Sequence, residues 1–177
     1  MRVLPAIAVC AVVCLLPVKA AGEPYASEQF GFTAEFPAEV TVGDSQGSET
    51  DAKGNYIAKS TIIQSRVMGV WTAMVTVDAY TVARKIDAGA TLTMMPKMFA
   101  AQLDATVTSN KPTKVGTYNA RVFTFATHDQ STSGKGIVVV VPSAKPRTYQ
   151  VLITHTSLAS PENIADLEKF LASFQVK

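Results

Sequence analysis

Cysteine is scarce in this chain of 177 residues, and both copies, Cys10 and Cys14, lie near its start. If that segment is removed as a leader, the rest of the chain has no thiol, which excludes disulfides and thiolate metal sites. The two histidines, His128 and His155, do not have the ligand spacing of a zinc pattern, although Asp129 directly follows His128. No glycine-rich phosphate loop precedes a helix, and no N-x-S/T sequon occurs. These absences predict a protein without a cofactor or a recognisable catalytic set.

An excess of charge of one sign is lacking as well. Removing Arg2 and Lys19 with the leader leaves 14 of the 16 basic residues, against 14 acidic residues. A neutral chain without a run of lysine or arginine produces no long-range field that would attract a polyanion. The sequence therefore argues against nucleic acid or an anionic membrane as the partner.

The first 21 residues have the features of a secretory signal peptide. A positive start is followed by an apolar run and by small residues before a cleavage point near Ala20 or Ala21. The apolar run, residues 3–18, is 16 residues long, which is shorter than the roughly 20 residues needed to cross a bilayer. We expect an exported protein, either periplasmic or secreted, with no membrane span in residues 22–177.

A lipid anchor on one of the cysteines is an alternative for the same segment. Val9 and Val13 precede the two cysteines, where a lipoprotein signal would carry glycine, alanine or serine. This pattern disfavours the anchor, which would in any case only tether the domain to a membrane.

Consecutive strands dominate the rest of the chain, because apolar and polar residues alternate along most of it. One helix is predicted at residues 94–103 with Thr93 as its N-cap, and a second begins at Pro161 after the N-cap Ser160. Clustered strands with few helices between them favour an α+β fold. We expect residues 22–177 to form one domain, an antiparallel sheet with a mid-chain helix and a C-terminal helix packed on it. The predicted strands are residues 30–36, 39–42, 56–68, 70–80, 106–109, 118–127, 136–141 and 148–155.

Three local expectations concern the irregular parts of the chain. Residues 43–55 contain almost no apolar residue and three glycines, which predicts a mobile surface loop. Lys111 and Pro112 are expected to form a turn after a short strand. Ile62 and Ile63 are adjacent in an otherwise alternating strand, which a β-bulge would reconcile.

Residues 43–47 match the G-x-S-x-G pattern of serine hydrolases, with Ser45 at the nucleophile position and Asp129 and His155 later in the chain. A nucleophile elbow requires a helix directly after the serine, and residues 48–55 have no helical periodicity. We therefore favour a hairpin loop over a hydrolase site.

Met94, Met95 and Met98 form a methionine-rich cluster on the predicted mid-chain helix. Thioethers are soft ligands that select Cu(I), which makes a copper site conceivable in an exported protein. Methionine on a helix that faces a sheet usually fills irregular space in the core, and Met95 is the strongest candidate for that role. The core interpretation is preferred, and copper handling remains the alternative.

Polar residues in two loops are the candidates for binding a partner, since exposed loops on a rigid scaffold often carry recognition. They are Ser45, Asp51, Lys53, Asn55, His128 and Asp129.

Several fold-determining stretches resemble the PsbP-like superfamily, whose members include the extrinsic photosystem II protein, DcrB-like proteins and mycobacterial lipoproteins. They are Phe-Gly-Phe-Thr-Ala-Glu-Phe-Pro at residues 30–37, Gly-x-x-x-Ala at residues 116–120, Arg-x-Tyr at residues 147–149 and Phe-Leu-Ala-Ser-Phe at residues 170–174. The resemblance implies the α+β fold and a non-enzymatic binding or assembly role, without a shared active site. Metal-binding residues of the photosystem members have no counterpart here.

These observations favour an extracytoplasmic, non-enzymatic binding or assembly protein. Its partner is expected to be another protein or a component of the cell envelope. Periplasmic copper handling and serine hydrolysis are the alternatives.

Overall fold

The computed structural model describes residues 24–177, so the expected signal peptide lies outside the described residues. Two helices and eleven strands make up this part of the chain. In chain order they are β1 (Tyr25–Ser27), β2 (Phe32–Ala34), β3 (Thr41–Val42), β4 (Gln46–Thr50), β5 (Tyr56–Val67), β6 (Trp71–Tyr80), α1 (Ala88–Gln102), β7 (Ala105–Val115), β8 (Tyr118–Thr127), β9 (Thr132–Val141), β10 (Arg147–Thr156), α2 (Pro161–Ser173) and β11 (Gln175–Val176). Neither of these helices is long and apolar enough to cross a membrane.

The large sheet has eight strands, and every pairing in it is antiparallel. Its order is β3-β5-β6-β10-β9-β8-β7, with β4 also paired to β5. A second, three-stranded sheet has the order β1-β2-β11. The last long strand, β10, therefore lies at the centre of the large sheet. This architecture confirms the predicted α+β class.

Both faces of the central strand are covered, because neighbouring residues of a strand point to opposite sides of a sheet. Val151 belongs to a core cluster that includes α2 and the small sheet. Leu152, the next residue, belongs to a second cluster formed with α1. The two helices consequently lie on opposite faces of the large sheet.

Helix α2 follows the sequence prediction closely. Ser160 accepts a hydrogen bond from the backbone N–H of Asn163, whose side chain accepts one in return from the backbone of Ser160, and Pro161 opens the helix. On its buried face, Phe170 contacts Phe36 with ring centroids 4.6 Å apart. The helix thus fixes the first phenylalanine-rich segment of the chain against the sheet.

Helix α1 begins earlier than predicted, since Asp87 and not Thr93 is its N-cap. The side chain of Asp87 accepts a hydrogen bond from the backbone N–H of Ala90 at 3.0 Å. Pro96 lies inside the helix and is buried. Proline removes one helical hydrogen bond except in the first turn of a helix, and a start at Met94 would have placed Pro96 in that turn. Burial of its apolar ring offsets part of that cost.

Residues 43–55 are not a continuous loop, because β4 pairs with β5 through two register shifts. The turn expected at Lys111 and Pro112 is not there, since both residues lie within β7 and the chain turns at Gly116, whose φ is +56°. Pro112 is tolerated in β7 because β7 is an edge strand of the described sheet, and one side of its backbone has no partner strand.

The expected β-bulge at Ile62 and Ile63 is absent, since β5 and β6 keep one continuous register. Ile63 is fully buried, whereas Ile62 points to the other face and is 42% exposed. An isoleucine on the open side of the sheet removes the need for a bulge.

Candidate functional site

Helix α1 covers only part of its face of the large sheet. It packs mainly on β7, β8 and β9, where Phe99 meets Phe125 edge-on with ring centroids 5.1 Å apart. On the same face of β5, Ser60, Ile62 and Gln64 remain at least partly exposed. The surface therefore has a step along the side of α1, where the helix no longer covers the sheet.

A groove of about 310 Å³ lies at this step, and we name it the methionine groove. Its size is at the lower end of the range of ligand pockets. Its lining combines thioethers, an aromatic ring and two basic side chains. The lining residues are Tyr80, Arg84, Lys85, Ile86, Asp87, Ala90, Thr91, Met94, Met95 and Met98.

The three methionines form the helical wall of the groove. Met94 and Met98 are four residues apart, which places them side by side on α1, and they are 56% and 55% exposed. Met95 is half-buried and packs against the second core cluster, as the core interpretation predicted. The structure therefore brings all three candidates to one groove, with two of them facing solvent.

A hydrogen-bonded cluster fixes the strand side of the groove. The Tyr80 hydroxyl donates to Glu49 Oε2 at 2.7 Å, and the Arg84 guanidinium forms an ion pair with the same carboxylate. The guanidinium carbon of Arg84 also lies 5.2 Å from the centre of the Tyr80 ring. These contacts connect β4 to the end of β6 and to the segment that leads into α1.

Charges within this cluster stabilise one another. The hydrogen bonds from Tyr80 and Arg84 lower the pKa of Glu49, and the hydrogen bond to Glu49 raises the pKa of Arg84. Burial, followed by the hydrogen bond to Glu49, raises the pKa of Tyr80. Glu49 and Arg84 are therefore both charged at neutral pH, and each compensates the other.

Lys85 extends from the segment between β6 and α1. A backbone hydrogen bond of 2.9 Å from Arg84 N to the carbonyl oxygen of Ala144 holds this segment beside the turn before β10. Within residues 24–177, Lys85 forms no ion pair and no side-chain hydrogen bond. The groove thus has one basic side chain without an ion-pair partner among residues 24–177.

The adjoining open face of the sheet carries polar side chains beside the exposed Ile62. Asp78 is aligned with Ser60 on β5 and with Thr148 on β10. Burial raises the pKa of Asp78, and the side chains of Ser60 and Gln150 offset only part of that rise. A partly desolvated carboxyl group therefore lies two residues before Tyr80 on the same face.

A second groove, of about 330 Å³, lies on the opposite face between α2 and β9. Lys135 on β9 and Glu168 on α2 form an ion pair of 2.6 Å between its walls. Thr108 and Thr124 also share a hydrogen bond of 2.8 Å. Its polar groups are largely satisfied by one another, which makes the methionine groove the better candidate for a ligand.

The predicted binding residues of the first loop have structural contacts. Ser45 Oγ lies 2.6 Å from Thr61 Oγ1, where one hydroxyl donates to the other. Asp51 accepts hydrogen bonds from the backbone N–H groups of Lys53 and Asn55 at 2.8 and 2.9 Å, which closes the turn between β4 and β5. These residues lie at one end of the sheet, near its β4 edge.

The predicted residues of the second loop lie elsewhere. Hydrogen bonds from Thr127 and then Ser131 lower the pKa of Asp129 to about 2 and shape the turn between β8 and β9. The Nδ1 atom of His128 is 2.9 Å from Asp104 Oδ1. This turn is at the opposite end of the sheet, so the structure does not unite the two sets of loop residues.

The hydrolase candidates are also far apart. Gln46, next to Ser45, is connected through the strand register to Ser60, Asp78 and Thr148. His155 lies seven residues further along β10, a distance of roughly 23 Å at 3.3 Å per residue. The His155 ring shares a hydrogen bond with a different serine, Ser133, whose Oγ lies 3.4 Å from Nε2. Ser45 is thus not placed to act with His155.

Three lining residues, Arg84, Lys85 and Ile86, were not predicted from the sequence. They lie in the segment between β6 and α1, which has neither helical nor strand periodicity. A basic pair followed by an apolar residue, close to the methionine cluster in sequence, was the available signal. Within residues 24–177, no group of three or more His, Cys, Asp or Glu side chains is placed to hold a metal ion.

Comparison with known proteins yields a similarity of fold. No protein-family model matches the chain, and no curated protein sequence matches it. Among solved structures, the chain is similar to LpqN of Mycobacterium tuberculosis, described as involved in cell envelope biogenesis. The TM-score is 0.56 at 10% sequence identity, over 88% of this chain and 90% of LpqN. At that identity the similarity establishes a shared fold.

Proposed function

We propose that this protein is an extracytoplasmic, non-enzymatic binding protein of the cell envelope, and that the methionine groove is its ligand site. The observation that carries the proposal is the groove itself, in which exposed thioethers and a lysine without an ion-pair partner line one concave surface. Concave, mostly apolar sites with a few polar groups are the usual form of ligand sites. The two loops of the sequence analysis are left as candidates for contacts with a protein partner.

Two further observations support this function. The first 21 residues have the pattern of an export signal. The described part of the chain shares its fold with LpqN, a protein described as involved in cell envelope biogenesis. Membership of the PsbP-like superfamily, which the fold-determining residues suggest, belongs to the same proposal.

Recovery of envelope components with matched variants tests the ligand site. The exported protein is purified, incubated with an extract of its own envelope, isolated again and analysed by mass spectrometry for bound molecules. Met98→Glu places a carboxylate in the groove and is expected to reduce the recovered component about tenfold or more, because desolvating a charge is costly. Met68→Glu is the control, since Met68 is 76% exposed at the turn between β5 and β6. Equal recovery from the two variants contradicts the proposal.

Copper handling is a second candidate, favoured by the placement of Met94, Met95 and Met98 in one groove. Thioether ligands select Cu(I), and two of these side chains are accessible. Replacing all three by leucine keeps an apolar wall and removes the sulfur atoms. A competition titration measures the affinity of both proteins for Cu(I). Weaker binding by the triple variant supports copper handling. Unchanged affinity, or no affinity in the original protein, refutes it.

A further inference from the structure

We propose that the ligand of the methionine groove is an anionic amphiphile, a single apolar chain ending in one negatively charged head group, with Lys85 as the residue that selects the head group. This inference rests on the proposed function and specifies the chemical class of the ligand. It is carried by the arrangement of apolar and basic side chains along the groove.

The apolar part of the groove follows α1. Met94 and Met98 lie side by side on the helix, and Ala90 extends the same row one turn towards the N-terminus. Ile86, half-buried before the helix, continues the apolar surface towards the basic end. An elongated apolar surface with adaptable thioethers suits a flexible hydrocarbon chain.

The charged end of the groove has two cations, Arg84 and Lys85, and two carboxylates, Glu49 and Asp87, of which only Glu49 takes part in an ion pair. Arg84 is paired with Glu49, which also accepts the hydrogen bond from Tyr80. The carboxylate of Asp87 caps α1 through its contact with Ala90 N.

Lys85 therefore remains as the basic group of the groove without an acidic partner among residues 24–177. A single unpaired ammonium group matches a single negative charge on the ligand. Because the lysine lies beside the apolar row, one molecule that combines a chain with an anionic head group can contact both.

Binding of decanoate, 1-decanol and acetate, measured by calorimetry at neutral pH, separates the two parts of this site. Decanoate has the chain and the charge, 1-decanol has the chain alone, and acetate has the charge alone. We expect decanoate to bind about fivefold or more tightly than 1-decanol, and acetate to show no measurable binding. The preference for decanoate is expected to weaken at high salt, since the lysine is exposed and its charge is screened.

Lys85→Gln removes the charge with little change in size, and Lys114→Gln is its control on the far edge strand, where Lys114 is exposed. We expect Lys85→Gln to abolish the preference for decanoate over 1-decanol, and Lys114→Gln to retain it. Equal binding of decanoate and 1-decanol by the original protein overturns the inference, as does a preference that survives in Lys85→Gln. Acetate binding as tight as that of decanoate overturns it as well.

The failure of this inference is distinguishable from failure of the proposed function. Suppose that the original protein binds a component of the envelope extract, that Met98→Glu does not, and that decanoate binds no more tightly than 1-decanol. The groove is then a ligand site whose ligand is not an anionic amphiphile. If neither the extract nor decanoate binds, both proposals fail.

Discussion

At the residue scale, Asp78 is a half-buried carboxyl group two residues before Tyr80 of the groove. Burial raises its pKa above the ordinary value, so that in the folded protein its charged form is disfavoured. Such a carboxyl group has a higher pKa in the folded protein than in the unfolded chain. As the pH rises from the lower to the higher of these two values, the free energy of unfolding falls, because the unfolded chain releases the proton more readily. Asp78 therefore destabilises the folded protein at neutral pH.

Asp78→Asn is expected to raise the free energy of unfolding at pH 7, because the amide keeps the shape of the side chain without its charge. The difference from the original protein should vanish below about pH 4, the ordinary value for aspartate, where both states are protonated. Urea unfolding at a series of pH values measures both quantities. A variant that is less stable at every pH contradicts the assignment.

Asp129 supplies the matched control, with the opposite sign. Its hydrogen bonds lower its pKa to about 2, so its contribution is present above the ordinary value and is lost as the pH falls towards 2. Asp129→Asn should therefore be less stable than the original protein at pH 7, while Asp78→Asn is more stable.

At the element scale, α2 depends on its N-terminal cap. Ser160→Ala removes the side-chain acceptor of the bond from Asn163 and is expected to lower the free energy of unfolding by about 1 kcal/mol. Ser160→Asn restores an acceptor of equal preference and should recover most of that loss. If alanine and asparagine behave alike in urea unfolding, the cap does not stabilise the helix.

The same element shows what sequence reasoning can predict. Ser160, Pro161 and the apolar period of α2 act locally, and the helix begins where they indicate. For α1 the local penalty of Pro96 pointed to a later start, but the helix begins at Ala88, and burial of the proline ring offsets part of that penalty. Strand β4 has almost no apolar alternation and was not predicted as a strand. It forms because it pairs with β5 and because Glu49 makes contacts outside the strand. Elements that are stabilised by residues distant in sequence cannot be predicted from their local sequence pattern.

At the scale of the whole molecule, the groove arises from the unequal covering of one sheet. Helix α1 lies over β7, β8 and β9 and leaves the same face of β5 open. The methionines could be identified from the sequence but their basic neighbours could not, since Arg84 and Lys85 meet α1 only after the sheet has formed. The methionine wall of the candidate site could therefore be predicted from the sequence, and the basic wall could not.

Methionine methyl groups allow the most direct measurement of ligand binding in this groove. Apart from Met1, the chain has five methionines: Met94, Met95 and Met98 line the groove, Met74 packs against the second core cluster, and Met68 is exposed at the turn between β5 and β6. With ¹³C-labelled methyl groups, titration of the purified protein with its envelope extract should shift the signals of Met94, Met95 and Met98 and leave that of Met68 unchanged. Shifts confined to Met68, or no shift at any methionine, would contradict the assignment of the methionine groove as the ligand site.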